Sequence, residues 1–389
     1  GRTAAFNINT QKGRETKMKK LLPILLVLVM LCSTAFAAGF EVPAEGYDGS
    51  DVTITFYSQQ GTSLQEVLNT YIAEFNKLYP NIHIEHTTLG DYDGVRDQII
   101  ADISVGAQPN LAYCYPDHVA LYNLAKSVVT LDELIDSQIT VTRADGSTEI
   151  LGLTDEQKAD FIEGYYDEGR QYGDGLMYTM PFSKSTEVLY YDKTFFDANG
   201  IAVPTTWDEF LAACEALKGA GVIPLTVDDA YMAALFGYIM DRVVGFETTK
   251  AVAGGDFTNE AVLKTAEVLE TLISKGYVDP RAAANVYPAG QSNIADGTVS
   301  MYLNGTWLPN EVKNQTPEGF QWGAFALPNI AEGGDGAESN NFGAQCFAIN
   351  KDTKYPNAAF ALVQWLTSGE WDQKLADETM GVPMANDAT

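Results

Sequence analysis

The sequence predicts an α/β protein of two domains, each a mainly parallel sheet flanked by helices, and three observations carry that expectation. Short β-favouring runs alternate with helix-period segments along most of the chain, the pattern of strands covered on both faces by helices. At 389 residues the chain is too long for one small core and suits two domains. Residues 180–210 (MPFSKSTEVLYYDKTFFDANGIAVPTTWDEF) join a polar connection to a strand, a loop and a helix start. Ser183, Lys184, Ser185 and Thr186 are too polar for a core and read as a connection with something to bind. Residues 188–191 (VLYY) then read as a strand buried on both faces. Thr206 and Glu209 have capping-box spacing, a hydroxyl at the cap and a carboxylate three residues on, so a helix starts there.

Taken in order, residues 1–17 carry no apolar period and precede Met18, so they are expected to lie outside the fold. Met18 opens a signal-peptide layout: Lys19 and Lys20, the apolar run 21–31, then Ala35-Phe36-Ala37 as a small-x-small cleavage site. That run is shorter than the ~20 residues a permanent span needs. Cys32 raises lipid anchoring as an alternative, but bulky Leu31 precedes it, which favours cleavage after Ala37 and an exported periplasmic or cell-surface protein. The whole chain holds 24 Lys+Arg and 52 Asp+Glu, a formal net charge of −28. Six of the basic residues and Glu15 lie in residues 1–37, so the remainder keeps 18 and 51, a charge of −33. A field of that sign favours solubility and excludes nucleic acid and anionic membrane surfaces as partners. Cys114, Cys214 and Cys346 also remain, an odd number in apolar contexts, which argues for buried free thiols over a disulfide framework.

The first domain opens with an alternating strand at 52–57, followed by Ser58-Gln59-Gln60-Gly61. Leu64, Val67, Leu68, Tyr71, Ile72, Phe75 and Leu78 then recur at helical spacing and stop at Pro80. A strand at 82–85 and an element containing Val95, Ile99, Ile100 and Ile103 follow. The apolar run 111–113 leads into Cys114-Tyr115-Pro116-Asp117-His118. Ligands of such sheets sit beyond the carboxyl ends of strands, which places residues 58–60 and 115–118 at one rim. Residues 143–152 and an acidic helix at 155–168 read as surface decoration. The second domain is expected to hold a helix at 206–218, a strand at 223–226 and an aromatic-rich helix with Tyr231, Phe236 and Tyr238. An amphipathic segment at 258–273 follows, with Val262, Leu263, Ala266, Leu269 and Leu272 as its inner face. Strands at 299–303, 322–328 and 345–349 and a helical pair around 358–366 and Glu370-Trp371 complete the reading. Trp207, Trp365 and Trp371 fall at core-like helical spacing and read as packing residues.

These motifs resemble the extracellular solute-binding proteins of ABC importers, in particular the carbohydrate-binding family that includes maltose-binding and glycerol-3-phosphate-binding proteins. The family pattern PFS-x-ST-x-VLYYNK-x-x-F, followed by P-x-TW-x-E, is carried by residues 181–209, with Asp192 where Asn is usual, at a position expected to be exposed. GTVSMYLNGTWLP at 297–309, WGAFALP at 322–328 and YPNAAFALVQWLTSGEWDQKLADETMGVP at 355–383 recur in the same order, so the resemblance covers residue 51 onward. It implies a type II periplasmic-binding-protein fold of two lobes joined by hinge crossings. The first lobe would be discontinuous, 38–182 plus 329–382, the second would be 183–328, and 383–389 would begin a third crossing. Relatives add helices to the second lobe beyond that crossing, so a chain ending at Thr389 is expected to lack them.

The resemblance also implies a monomeric binding protein, with no cofactor, that takes a sugar or oligosaccharide between its lobes and passes it to membrane permease subunits. Pyranose rings present apolar C–H faces that stack on aromatic rings, and hydroxyls that need donors and acceptors in a partly dry cleft. Trp307, just after a glycine at a strand end, is the leading stacking candidate, with Tyr231 as a second from the same lobe. Ser183, Lys184 and Ser185 at the crossing, together with Gln59, Gln60, Tyr115 and His118 at the first rim, offer polar contacts. Asp117 stands where the family carries an acidic sugar ligand, and Phe342 and Gly343 lie in a segment that touches ligand in relatives.

Other classes fit less well. A glycosidase needs two carboxylates, which 51 acidic residues always supply and which therefore discriminates nothing. The sequence has no Gly-x-Ser-x-Gly elbow, P-loop or dinucleotide fingerprint, and no internal repeat of an adhesin. His83 and His86 would point to opposite faces of a strand, so no metal site is expected. Glycerol 3-phosphate or another polyol phosphate is the nearer alternative. Its phosphate would call for clustered Arg or helix N-termini, whereas the candidate loops offer one cation, Lys184.

Overall fold

The computed structural model describes residues 50–59, 62–312, 315–330 and 342–379, all within one compact unit, Ala44–Thr389. The leader, the signal-peptide reading, Gln60 and the third crossing at 383–389 lie outside the described residues. The strands are β1 (Val52–Ser58), β2 (Ile82–Thr88), β3 (Leu111–Cys114), β4 (Ile139–Thr142), β5 (Thr148–Leu151), β6 (Met180–Asp192), β7 (Ile223–Thr226), β8 (Val299–Gly305), β9 (Trp322–Phe325) and β10 (Phe342–Ile349). Eight of them join in the order β2-β1-β3-β10-β6-β8-β7, with β9 also on β6, while β4 and β5 pair separately.

β6 organises the arrangement because its two halves belong to different sheets. Residues from Met180 to Thr186 pair with β10, and residues from Glu187 onward pair with β8 and β9. In the first sheet β1, β2, β3 and β6 run one way and β10 opposes them. In the second β7, β8 and β9 run together and β6 opposes them. Each sheet is thus mainly parallel with one reversed strand, and helices cover it, which is the two-lobe α/β architecture the sequence predicts. The directions have a further consequence. β6 leaves the first sheet at the edge where β1 and β3 end, and enters the second opposite Gly305, where β8 ends. The carboxyl edges of both sheets therefore meet at residues 185–187 of β6.

The cores follow the hydrophobic patterns. β1 alternates, with Val52, Ile54, Phe56 and Ser58 inward, while β3 and β8 are buried along their whole length, as strands covered on both faces must be. Val67, Leu68, Tyr71, Ile72 and Phe75 of the helix Thr62–Leu78 are all buried. One apolar cluster gathers Val95, Ile99, Val119, Tyr122 and Cys346 in the first lobe, and another gathers Leu189, Phe210, Leu217, Leu235, Ile239 and Met301 in the second. Cys114, Cys214 and Cys346 are buried free thiols.

Four readings change. Ser183–Thr186 is not a connection outside the sheets but part of the 13-residue strand β6, because its backbone is claimed by β10. The acidic helix at 155–168 is two short helices, Asp155–Asp160 and Glu163–Glu168, broken at Phe161, whose extended backbone ends the first. The helix Glu260–Ser274 turns Ala261, Thr265 and Leu272 inward, leaving Leu263 68% exposed. Asp192 is buried and not exposed, since it caps the helix Lys193–Asn199 by accepting the Phe195 N–H at 2.8 Å.

Candidate ligand-binding site

The first-lobe side of the site is an aromatic pair set in amides. Tyr115 follows β3 with extended backbone and caps the helix Pro116–Leu124, where Pro116 fits the first turn because its missing N–H is not needed there. Its ring stacks on Tyr92 with centroids 4.2 Å apart. The Tyr92 hydroxyl donates to Tyr113 Oη at 3.1 Å, and the side chains of Gln59 and Gln345 hydrogen-bond to the same hydroxyl. Gln345 Nε2 also reaches Ser185 Oγ at 3.5 Å. Burial pushes the Tyr92 phenol up to about 12, so it stays neutral. Asp117 is exposed in the first helical turn, whereas His118 is buried with its ring edge on Tyr115. Burial lowers the His118 pKa, and its Nδ1 has no partner.

The second-lobe side is built on a glycine. A side-chain carbon on Gly305 would lie 1.8 Å from the Trp307 ring, so the indole occupies the space that any other residue would fill. Trp307 Nε1 donates to Tyr287 Oη at 3.3 Å, and Gln291 Nε2 donates to the same oxygen at 3.2 Å. Tyr231 lies 6.4 Å from Trp307 and 6.1 Å from Tyr287, completing a three-ring group. A buried network fixes its floor. Asp228 accepts from Tyr302 Oη at 2.5 Å and from the Gly290 N–H at 2.8 Å. Asn304 Nδ2 donates to Tyr302 Oη at 2.6 Å and its Oδ1 accepts the Gly305 N–H at 2.8 Å.

The two sides address one another. Burial first, then Tyr92, Tyr231 and Glu187, push the Tyr115 phenol upward, so residues of both lobes lie within electrostatic reach of one ring. Ser185 and Glu187 stand at the strand that joins the lobes, and backbone pairing sets Phe342 opposite Thr186 and Gly343 opposite Ser185. Lys184 stands apart from this group, buried, ion-paired to Glu168 and 5.6 Å from the Tyr165 ring centroid. Ser183 is half-buried on β6.

Sequence reasoning missed Tyr92, Tyr287, Gln345 and Glu187. Tyr92 follows a helix cap with no flanking motif, and Gln345 sits in an apolar strand. Glu187 alone carried a local signal, a carboxylate just before the buried run 188–191. His83 lies 3.6 Å from Asp51, whereas His86 accepts or donates at Ser58 Oγ, 2.7 Å away, so the two point apart. Among the described residues there is no group of three or more His, Cys, Asp or Glu placed to hold a metal, and no helix long and apolar enough to cross a membrane. A separate hollow of about 300 Å³, between Arg143, Glu149, Phe161 and Trp365, is lined by none of the candidate residues.

A fold of this topology, with binding-type side chains gathered where one strand passes between two sheets, defines a two-lobe binding protein. The chain belongs to the bacterial extracellular solute-binding protein family, whose pattern it matches over residues 70–389. It is 24% identical over 372 residues to the multiple sugar-binding protein of Streptococcus mutans, covering 93% of this chain and 81% of that one. It is 24% identical over 264 residues to the sn-glycerol-3-phosphate-binding periplasmic protein of Salmonella typhimurium, covering 64% and 56%. A solved chitin oligosaccharide binding protein shares the fold with a TM-score of 0.72 at 20% identity, over 87% of this chain and 82% of that one. Members of this family bind solutes and are not enzymes.

Proposed function

We propose that this protein captures a neutral sugar or oligosaccharide between its lobes and delivers it to the permease subunits of an ABC importer. The observation that carries the reading is a pair of aromatic groups, Tyr92-Tyr115 on one lobe and Tyr231-Tyr287-Trp307 on the other, with Tyr231 in electrostatic reach of Tyr115 near Gln59, Gln345, Ser185 and Glu187. Ring faces suit sugar C–H faces, and amides and a carboxylate suit sugar hydroxyls. Each hydroxyl left unpaired in such a cleft would cost ~1 to 3 kcal/mol, which explains the density of donors and acceptors. The sugar-binding relatives support the same class. Polyol phosphate is the second reading, favoured by the Salmonella relative, but Lys184, the cation among the candidates, is already matched by Glu168.

In this reading ligand contacts both lobes only when they close on it, so binding shifts the population toward the closed form that docks on the permease. The lobes divide close to the expected 38–182 plus 329–382 and 183–328, with the joint itself a few residues later, at 185–187 of β6; the chain acts as a monomer, and it is exported with cleavage after Ala37. Asp117, His118, Ser183, Phe342 and Gly343 form the rim of the site. The test is a thermal-shift screen against maltotriose, raffinose, chitotriose and glycerol 3-phosphate. A ligand at ~100 times its dissociation constant stabilises by ~2.7 kcal/mol. A shift with a sugar upholds the reading, a shift with glycerol 3-phosphate alone transfers it to the phosphate class, and no shift with any of them overturns both.

A further inference from the structure

We propose that Glu187 is a ligand-contacting residue whose carboxylate accepts hydrogen bonds from neighbouring hydroxyls of the bound sugar, so that binding is coupled to loss of a proton. The inference rests on the sugar-binding reading above and adds the residue that sets its pH dependence.

Position comes first. Glu187 pairs with Gly305 across the β6–β8 ladder, and residues directly opposite on antiparallel strands project to the same face. The Trp307 ring fills the space above Gly305 on that face, so the Glu187 side chain and the indole share one face of the ladder. The Glu187 carboxyl takes a bond from its own backbone N–H, but its Oε2 is buried and has no hydrogen-bond partner. Among the described residues Glu187 makes no ion pair either. A buried acceptor without a donor is uncommon because it loses its hydration for nothing, and a site that receives a hydroxylated ligand is the place where the donor arrives later.

Electrostatics supports the geometry. Burial is the first cause that raises the Glu187 carboxyl to about 7. The groups in electrostatic reach of it are Tyr115 at the start of the helix Pro116–Leu124 and Tyr238 of the helix Met232–Val244. Burial pushes the Tyr115 and Tyr238 phenols upward, so both stay neutral near pH 7. The charged groups of the surrounding elements are engaged elsewhere. Arg242 stacks 3.9 Å from the Tyr238 ring and donates to the Leu327 carbonyl, Lys184 is held by Glu168, and Asp228 by Tyr302 and Gly290. Asp117 is exposed to solvent. Two adjacent sugar hydroxyls can each donate to a carboxylate, and bonds to the ionised form are the stronger ones. Ligand therefore selects the ionised form and releases the proton.

The experiment is titration calorimetry of the wild type and Glu187→Gln with whichever of maltotriose, raffinose and chitotriose binds most tightly. At pH 7 it is run in two buffers of different ionisation enthalpy, and then at pH 6 and pH 8. The wild type should release a fraction of a proton and bind about tenfold more tightly at pH 8 than at pH 6. Glu187→Gln should release none, bind with a flat pH profile, and be weaker at pH 8 by about tenfold or more. Its ligand-free melting temperature at pH 8, at or above that of the wild type, shows that the fold is intact. Proton-neutral, pH-independent binding by the wild type overturns the proposal while the sugar reading stands, as does a Glu187→Gln variant that binds like the wild type. If none of the three sugars binds a cooperatively melting wild type, the sugar reading falls and takes the proposal with it.

Discussion

Trp307 lies where it does because residue 305 lacks a side chain. Trp307→Ala should remove the stacking surface, which is worth about 0.5 to 1.5 kcal/mol beyond burial, or about two- to tenfold in affinity before the lost area is counted. Unchanged calorimetry would take Trp307 out of the site. Gly305→Ala should weaken binding as well, although Trp307 remains, because the new methyl must displace the ring. Glu187 gives a residue-scale prediction in the ligand-free protein. Its folded pKa, about 7, lies above the unfolded value near 4.5. The folded state therefore holds the extra proton between those values, and stability falls as pH rises from about 4.5 to about 7, then levels off. Glu187→Gln lacks that fall. Urea melts should show the variant gaining on the wild type across this window by an order of 2 kcal/mol, while a difference that stays flat with pH would contradict a carboxyl raised by burial.

Elements differ in how much of themselves their own residues declare. The helix Trp207–Gly219 begins where its capping box says, with the Thr206 hydroxyl accepting the Glu209 N–H at 3.3 Å and Glu209 returning the bond to the Thr206 N–H at 3.1 Å. Thr206→Ala should cost about 1 kcal/mol, lowering the melting temperature and leaving sugar affinity unchanged. Capping is legible because donor and acceptor are three residues apart. β6 is the contrary case. The polarity of Ser183 to Thr186 reads as a loop, yet the backbone there completes a ladder with a segment more than 150 residues away. The inner face of the helix Glu260–Ser274 is partly as expected, with Leu272 buried and Val262 and Leu269 packed, but Leu263 and Ala266 are exposed and Ala261 and Thr265 are buried, because several registers of its apolar residues are possible and the neighbours it packs on choose one. The thiols offer a check on the sheets. Cys114 and Cys346 face each other across β3 and β10, and with Cys214 they are essentially unexposed. A thiol reagent should label all three in denaturant and none over minutes in the native protein.

For the whole molecule, the proposed capture of ligand between lobes joined by one strand predicts that ligand draws them together. Solution scattering should show the radius of gyration falling when the screened sugar saturates the protein, and a radius that does not change would refute closure. The sequence by itself determined what depends on near neighbours: the alternation of strands and helices, the two-lobe α/β class, the caps, the free cysteines and the glycine-tryptophan pair at the end of β8. Its resemblance to solute-binding proteins rested on such local motifs and held. Tertiary structure alone decided that Tyr92 would stack on Tyr115, that Gln345 would reach Ser185, that Tyr287 would hold Trp307, and that Lys184 would be matched by Glu168. It also decided that Glu187 would be left with a buried acceptor at the joint. The reason is physical. These contacts depend on sheet register and strand direction between distant segments, and no periodicity or spacing within a segment encodes them.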